Sequence, residues 1–477
     1  MPCQLPADCL IDIFENLYDD KNTLYSCLLV NSLYCETAVR ILWRNVWKFY
    51  NDNKPYISLS IINTLIVCLP KESEEILHKN GIIITVPIQK PPLFNYASFC
   101  KVISIYKIEV MIQHTLKKYK KQSITSEDLK ILLSQEILKM LLNQIRSLKV
   151  LKCNNSRYED LYLLSEAKIH LSNLAKLRCD SDICPKFISH NLQSLTINFR
   201  NLFSKWIRDL ISSQNNLKIL KIANFEYIRN YEYKKIILSL AKHSLTLTKL
   251  TLKNCGITEP FIAMFKNLQE LNLDQNDTLY QLRNAYFLQL MILKITYNRY
   301  SLKDGTEILI NFLKINGNNL TEFYIYRYYH EKSLNLALAK YCPNLKILDT
   351  YISEEETLKL ILNNCHYLEI IVFRYDGRDW LDSKTFFKVL ANYSQKYFYG
   401  LILEFYSRLP IDELYQDLKE FFINWQGRTS QRSLSLIFVI SETYYITKSA
   451  KINMKDIKLL IDKYKKLGII KKFELKR

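Results

Sequence analysis

The chain has 477 residues, 48% of them apolar or aromatic, enough for a large buried core and too many for a disordered chain. Its net charge of +19 raises nucleic acid as a partner, yet Lys, Asn, Ile, Tyr and Leu are abundant while Gly is only 8 and Pro 11. The abundant types share A/T-rich codons, so genome composition accounts for the charge without a functional cause, and nucleic acid is disfavoured.

Three amphipathic segments fill the first 45 residues. The first, ADCLIDIFENL, follows Pro6, which suits a first helical turn because it lacks the N–H that would be orphaned there. The second, TLYSCLLV, sets Leu24, Cys27 and Leu28 at helical spacing, and the third, YCETAVRILW, puts Val39, Leu42 and Trp43 on one face. YDDKN and NS break the run between them. Helices this short need something to pack against.

Residues 49–145 read as a mostly helical linker region. They contain a proline turn leading into an aromatic cluster (90–100) and a strong helix over 123–145. The longest apolar-leaning stretch, 58–69, is far short of a bilayer span, and no basic region followed by an apolar core opens the chain. A cytoplasmic or nuclear protein with no membrane partner is expected. The 12 cysteines show no C-x-x-C spacing, so buried free thiols are expected rather than a zinc site. Seven sit in apolar neighbourhoods: Cys9, Cys27, Cys68, Cys100, Cys153, Cys179 and Cys255.

From about residue 146 the phrase Asn-Leu-x-x-Leu/Phe recurs, at 173, 191, 216, 267, 319 and 344. An L-x-x-L-x-L frame begins at Leu148, Leu174, Leu192, Leu217, Leu247, Leu268, Leu290, Leu320, Leu345 and Leu368. Degenerate units follow at Phe398, Leu434 and Ile470, and the mean step is about 27 residues, within the leucine-rich-repeat range. Offsets 0, 3 and 5 turn inward where a short parallel strand stacks on its neighbour. Offset 8 favours a small polar or thiol group, met by Cys255, Asn276 and Asn298. Helix-like runs lie between the strands; SEEETLKLILNN carries a capping box from Ser353 to Glu356. The expected fold is α/β: N-terminal helices (1–48), a helical linker (49–145), then a leucine-rich-repeat solenoid (146–477) with parallel strands inside and helices outside, degenerate after about 398.

The first 45 residues resemble an F-box, on Leu5-Pro6, Leu10, Ile13-Phe14, Leu17, Leu24, Val30 and Leu42-Trp43, with Tyr34 where the family usually has Trp. F-box followed by leucine-rich repeats is a known pairing, and the Lys/Asn-rich texture with PLFNYASFC is similar to the large fungal F-box group. The resemblance implies that the helices pack on a Skp-type adaptor linked to a cullin-based ubiquitin ligase. The ten residues just named would be the adaptor-binding set. A plain three-helix cap on the solenoid has the same periodicity.

No phosphate-cradling Gly loop, G-x-S-x-G, H-E-x-x-H or reactive cysteine stands out, so no catalytic residue, metal ligand or cofactor is assigned. The seven His are dispersed, and His190 and His243 read as structural. The expected role is substrate receptor: a protein substrate, of unknown identity, held beside ubiquitin that other subunits transfer. Offsets 2, 4 and 6 project onto the concave face of such a solenoid. There Tyr324, Tyr326, Tyr351 and Arg374 form the candidate substrate-binding set, since aromatics and Arg are the usual interface anchors. Coverage by a C-terminal segment, or a frame out of phase by one, would instead make these side chains core. The competing reading is a non-enzymatic basic solenoid binding nucleic acid or protein with no ubiquitin role, carried by KKYKK (117–121) and the lysine-rich last 32 residues.

Overall fold

The computed structural model describes residues 5–51, 54–80, 92–118, 126–153, 171, 173–181, 189–199, 205–223, 230–255, 261–274, 279–296, 302–326, 332–375, 381–405, 411–428, 432–440 and 448–476. By its contacts the chain divides into two units, 1–220 with 227–242, and 221–226 with 243–477. Asn276, Asn298 and residues 119–121 of the KKYKK run lie outside the described residues.

The first unit opens with three helices, α1 (Ala7–Asn16), α2 (Lys21–Cys27) and α3 (Ser32–Trp43). Asp20 caps α2 by accepting the Thr23 N–H at 3.1 Å, and Asn31 caps α3 through the Tyr34 N–H at 2.9 Å. Pro6 stands at the cap of α1, one place before the first turn, and its carbonyl accepts the Leu10 N–H at 3.1 Å. The helices close on a core of Leu10, Phe14, Leu24, Ala38, Ile41 and Leu42. Burying each of the large side chains stabilises by about 1.5–3 kcal/mol. Helices Pro55–Val67, Lys71–Lys79, Ile105–Lys118 and Ser126–Gln144 follow, as the linker reading expected.

That region also holds a strand, β1 (Val102–Ser104), which pairs in parallel with β2 (Val150–Lys152). Placed in the repeat frame, Cys100, Ile103 and Ile105 fill offsets 0, 3 and 5, all of them buried. The repeats therefore begin about one unit earlier than the leucine pattern indicates, because a thiol takes the first inward place. The N-terminal segment is sewn to this strand: the Trp47 indole N–H donates to the Val102 carbonyl at 2.6 Å, and the Lys101 N–H to the Arg44 carbonyl at 2.9 Å. The expected boundary at residue 48 cuts through these contacts. Next come β3 (Lys176–Asp180), β4 (Ser194–Asn198) and β5 (Ile219–Ala223).

The second unit carries β6 (Lys249–Lys253), β7 (Glu270–Asp274), β8 (Ile292–Thr296), β9 (Glu322–Tyr326), β10 (Ile347–Asp349), β11 (Ile370–Tyr375), β12 (Gly400–Phe405), β13 (Leu434–Ile440) and β14 (Ile470–Lys476). From β6 to β14, among the described residues, each strand pairs in parallel with its chain neighbour, with helices such as Leu302–Asn316 and Ser383–Tyr393 in the connections. The fold is α/β and of leucine-rich-repeat type.

The frame explains the strands. From Leu148 to Phe398 each first position is buried and the strand begins two residues later, so offsets 3 and 5 point inward. One placement is out of phase: Gly400 registers with Ser435, which puts the first position at Ser433 rather than Leu434. Leu434, Leu436, Phe438 and Ile440 are all buried, so alternation alone misled the assignment.

The recurring asparagine has a structural task. Asn267, Asn319 and Asn344, each one residue before its leucine, donate a side-chain N–H to a carbonyl of the preceding repeat, at Leu245 (2.7 Å), Leu288 (3.3 Å) and Asn318 (2.8 Å). In the later repeats the same place holds Tyr367 and Tyr397, whose rings stack at 5.6 Å, and Arg432, 5.5 Å from the Tyr397 ring.

Two local expectations are corrected. The helix after β10 runs Glu355–Asn364, so Ser353 lies outside it and forms no capping box; Glu354 holds the cap position and pairs with Lys332 at 2.8 Å. Cys9 is exposed, and Cys27 and Cys68 are half-buried. Cys100, Cys153, Cys179 and Cys255 are buried, and burial pushes the thiols of Cys100 and Cys153 up to about 12.

Candidate functional site

The ten N-terminal residues divide into three groups. Leu10, Phe14, Leu24 and Leu42 are core of the three-helix unit, so they shape any docking surface from beneath. Leu17 and Trp43 are half-buried against their own chain; the Trp43 ring lies 4.7 Å from Tyr96, which joins Phe94 and Phe99 in the aromatic cluster read from the sequence. Leu5 (47% exposed), Pro6, Ile13 (47%) and Val30 (60%) face solvent. Leu29, 88% exposed, and Tyr25 belong with them and were missed. The signal was the Leu28-Leu29-Val30 run at the end of α2, apolar in three consecutive places where a helix face uses one or two.

Tyr34, half-buried against this core, stands edge-on to Phe14 at 5.4 Å. Arg44 and Glu15 tie α1 to the end of α3 through two bonds, one at 2.7 Å, and that contact holds the Glu15 carboxyl below the usual carboxylate range.

The second candidate lies on the open face of β9 to β12. Tyr326, Tyr351 and Arg374 come together: the Arg374 guanidinium lies 4.8 Å from the Tyr326 ring and 5.0 Å from the Tyr351 ring. Tyr324 sits one row away, donating its hydroxyl to Glu322 at 2.8 Å, with the Lys294 ammonium 4.8 Å from its ring.

Arg374 does not project to solvent. Its side chain is 1% exposed, and its head reaches back over β10 to the Ile325 carbonyl of β9 at 3.4 Å. It pairs with Asp349 and with Glu404, its register partner on β12, at 2.9 Å. Arg374 is thus the centre of the cluster, and Tyr326, 41% exposed, is its accessible part. Burial pushes the Asp349 carboxyl up to about 6, opposed by Arg374 and assisted by Glu404. Desolvation and Asp349 likewise push the Tyr326 hydroxyl up to about 12. Two carboxyls against one guanidinium leave a negative excess when both are ionised.

Glu404 was missed because the Phe398 repeat was treated as degenerate; continuing the frame one step puts Glu404 at offset 6. His190 donates its Nδ1–H to the Ser213 carbonyl at 3.2 Å, and His243 is buried. Among the described residues no three His, Cys, Asp or Glu side chains gather as a metal site, and no helix is long and apolar enough to cross a membrane.

No family model matches the chain, and no curated protein matches it. Among the solved structures that match it are two with the following likeness to the chain. One is the leucine-rich repeat-containing protein LegL7 from Legionella pneumophila, at 15% identity and a TM-score of 0.34, covering 64% of this chain and 88% of that one. The other is from the Rad7 and Elc1 complex in yeast, at 14% identity and a TM-score of 0.34, covering 97% of this chain and 91% of that one.

Proposed function

We propose that the chain is a substrate-receptor subunit of an SCF-type cullin ubiquitin ligase. The three N-terminal helices hold a Skp-type adaptor, and the repeats hold a protein substrate near the transferred ubiquitin. The chain does no bond chemistry itself; its contribution is effective concentration. The reading carries with it the fungal F-box affinity and a place in cytoplasm or nucleus.

One observation carries it. The helices close a complete apolar core and still leave Leu5, Ile13, Leu29 and Val30 in water. A cap that served only to cover the repeats would turn such residues inward. Leu5, Ile13 and Val30 stand in the order of the F-box pattern, which supplies a partner for them, and Leu29 extends the same exposed surface.

The test is co-purification of the full chain with a Skp-type adaptor at raised salt. Leu29→Asp with Val30→Asp should weaken adaptor capture by about 30-fold or more, with the melting temperature unchanged because both side chains are exposed. Point variants are preferable to removing residues 1–48, since Trp47 is bonded into β1. No capture by the parent chain, or equal capture by the variant, refutes the assignment. In the second reading, a basic module without a ubiquitin role, binding would fall steeply with salt, whereas an apolar adaptor contact would persist.

A further inference from the structure

The last repeat ends the sheet. β14 pairs with β13, and among the described residues no strand covers its other edge. The helix before it, Lys448–Lys466, buries Ile457, Leu460, Ile461 and Tyr464 and leaves a different set in water. Leu459 is 67% exposed; Leu467, whose N–H still bonds the Lys463 carbonyl at 3.2 Å, is 54% exposed. Gly468 then turns the chain into β14 at φ +75°, with open space where a Cβ would stand.

Lysines surround these two leucines. Lys455, Leu459, Lys463 and Leu467 follow at four-residue steps, so they share one side of the helix over about 18 Å. Between positions 455 and 476 eight lysines, all exposed, meet three acids, Asp456, Asp462 and Glu474. Asp462 lies 4.0 Å from Lys465, and Glu474 pairs with Lys472 at 2.6 Å and Lys476 at 3.8 Å. Lys455, Lys458, Lys463, Lys466 and Lys471 form no ion pair among the described residues. The preceding helix, Ile411–Gln426, is acidic, with Asp412, Glu413, Asp417 and Glu420 against Lys419, so the cationic surface belongs to the last repeat alone.

Two plainer explanations fall short. Lysines in a last helical turn complement the helix dipole, but a dipole asks nothing of Leu459 and Leu467. A closing repeat needs a polar outer face, and exposed leucines work against that need. Aliphatic side chains standing among cations match the boundary of an anionic lipid layer, where the leucines enter the acyl region and the lysines reach the headgroup charge. We propose that the helix Lys448–Lys466 and β14 form a reversible docking surface for a membrane rich in acidic phospholipid. RNA is the poorer fit, because the aromatic rings that could stack on bases are engaged within the repeat: Tyr464 lies 4.8 Å from Phe422, and Phe473 stands edge-on to Phe438 at 5.3 Å. Contact of this kind lies on the lipid surface and requires no spanning helix, so the short apolar stretches of the sequence do not argue against it.

The test is sedimentation of the full chain with vesicles of phosphatidylcholine alone and with vesicles that are about one-third phosphatidylserine, beside retention on an RNA of about 12 nucleotides. The anionic vesicles should carry down the chain roughly tenfold better than the neutral ones. Lys463→Gln with Lys466→Gln should weaken that binding by about tenfold or more, and Leu459→Ser with Leu467→Ser by about fivefold. Neither pair should move the melting temperature, since all four side chains are exposed. Equal sedimentation with both vesicles, retention on RNA without sedimentation, or undiminished binding by the leucine variant overturns the proposal. So does a fall of several degrees in the melt of either variant, which would make these side chains structural. Adaptor capture, read through residues near the other end of the chain, stands or falls separately.

Discussion

Replacing Arg374 by Met should unfold the second unit earlier, and by an amount that depends on pH. The guanidinium is 1% exposed and is shared by Asp349, Glu404 and the Ile325 carbonyl, with two tyrosine rings against it. Methionine fills most of the volume, so the loss is electrostatic. Breaking a buried pair from one side costs about 3–5 kcal/mol because the other charge is stranded. At roughly 2–4 °C per kcal/mol for a unit of this size, the melt should fall by about 10 °C at pH 8.

The sign of the pH effect follows from Asp349. Its folded value of about 6 lies above the unfolded value near 4, so its contribution to stability is present below pH 4 and is lost as pH rises through 6. Without Arg374 that folded value rises further. At pH 5 the carboxyl is neutral in parent and variant, and the gap between their melts narrows; at pH 8 the gap is widest. Asp349→Asn added to Arg374→Met should recover part of the loss. Thermal melts at the two pH values are the measurement. A change under 1 kcal/mol, or a gap wider at pH 5, would refute a buried charge at the centre of this cluster.

Two further substitutions test the packing. Asn316→Ala removes a buried amide that donates to Ala285 and Phe312 and accepts the Phe287 N–H, so a loss of about 3 kcal/mol is expected in denaturant unfolding, with the slope unchanged. Gly400→Ala sets a Cβ 2.5 Å from Ile370 Cγ1 on β11; it should cost about 1–3 kcal/mol and be partly rescued by Ile370→Ala.

The repeats were legible because their signal is redundant: a leucine at each first position, an apolar pair behind it, and an asparagine ahead. The places where reading failed each have one competing cause. Cys100 replaces the leucine, and the first repeat vanished into the linker. Ser433 replaces it again, and an apolar neighbour at Leu434 drew the frame off by one. The tyrosine–arginine set was found by offset alone, and its members do meet. Offset fixes only the direction in which a Cα–Cβ bond points, and a long side chain then goes where its charge is satisfied. Arg374 therefore folded back onto Asp349 and Glu404 instead of reaching outward. At the N-terminus, periodicity marked the core residues Leu10, Phe14, Leu24 and Leu42, but Ile13 shares the spacing of Leu10 and Phe14 and faces solvent. Leu29 was missed because it belongs to no stripe.

The asparagine ties have an evolutionary consequence. Each amide grips a main-chain carbonyl, a group that every residue offers whatever its side chain. A repeat held this way makes no demand on the identity of its predecessor. Whole repeats ending in Asn-Leu are thus interchangeable parts, which recombination can duplicate, delete or shuffle while the joint survives. Tyr367, Tyr397 and Arg432 are joined differently, ring to ring and ring to cation, so each needs that particular neighbour. Gain and loss of repeats in descendants of this chain should accordingly fall on the segment before Tyr367, and the order of the repeats after it should stay fixed.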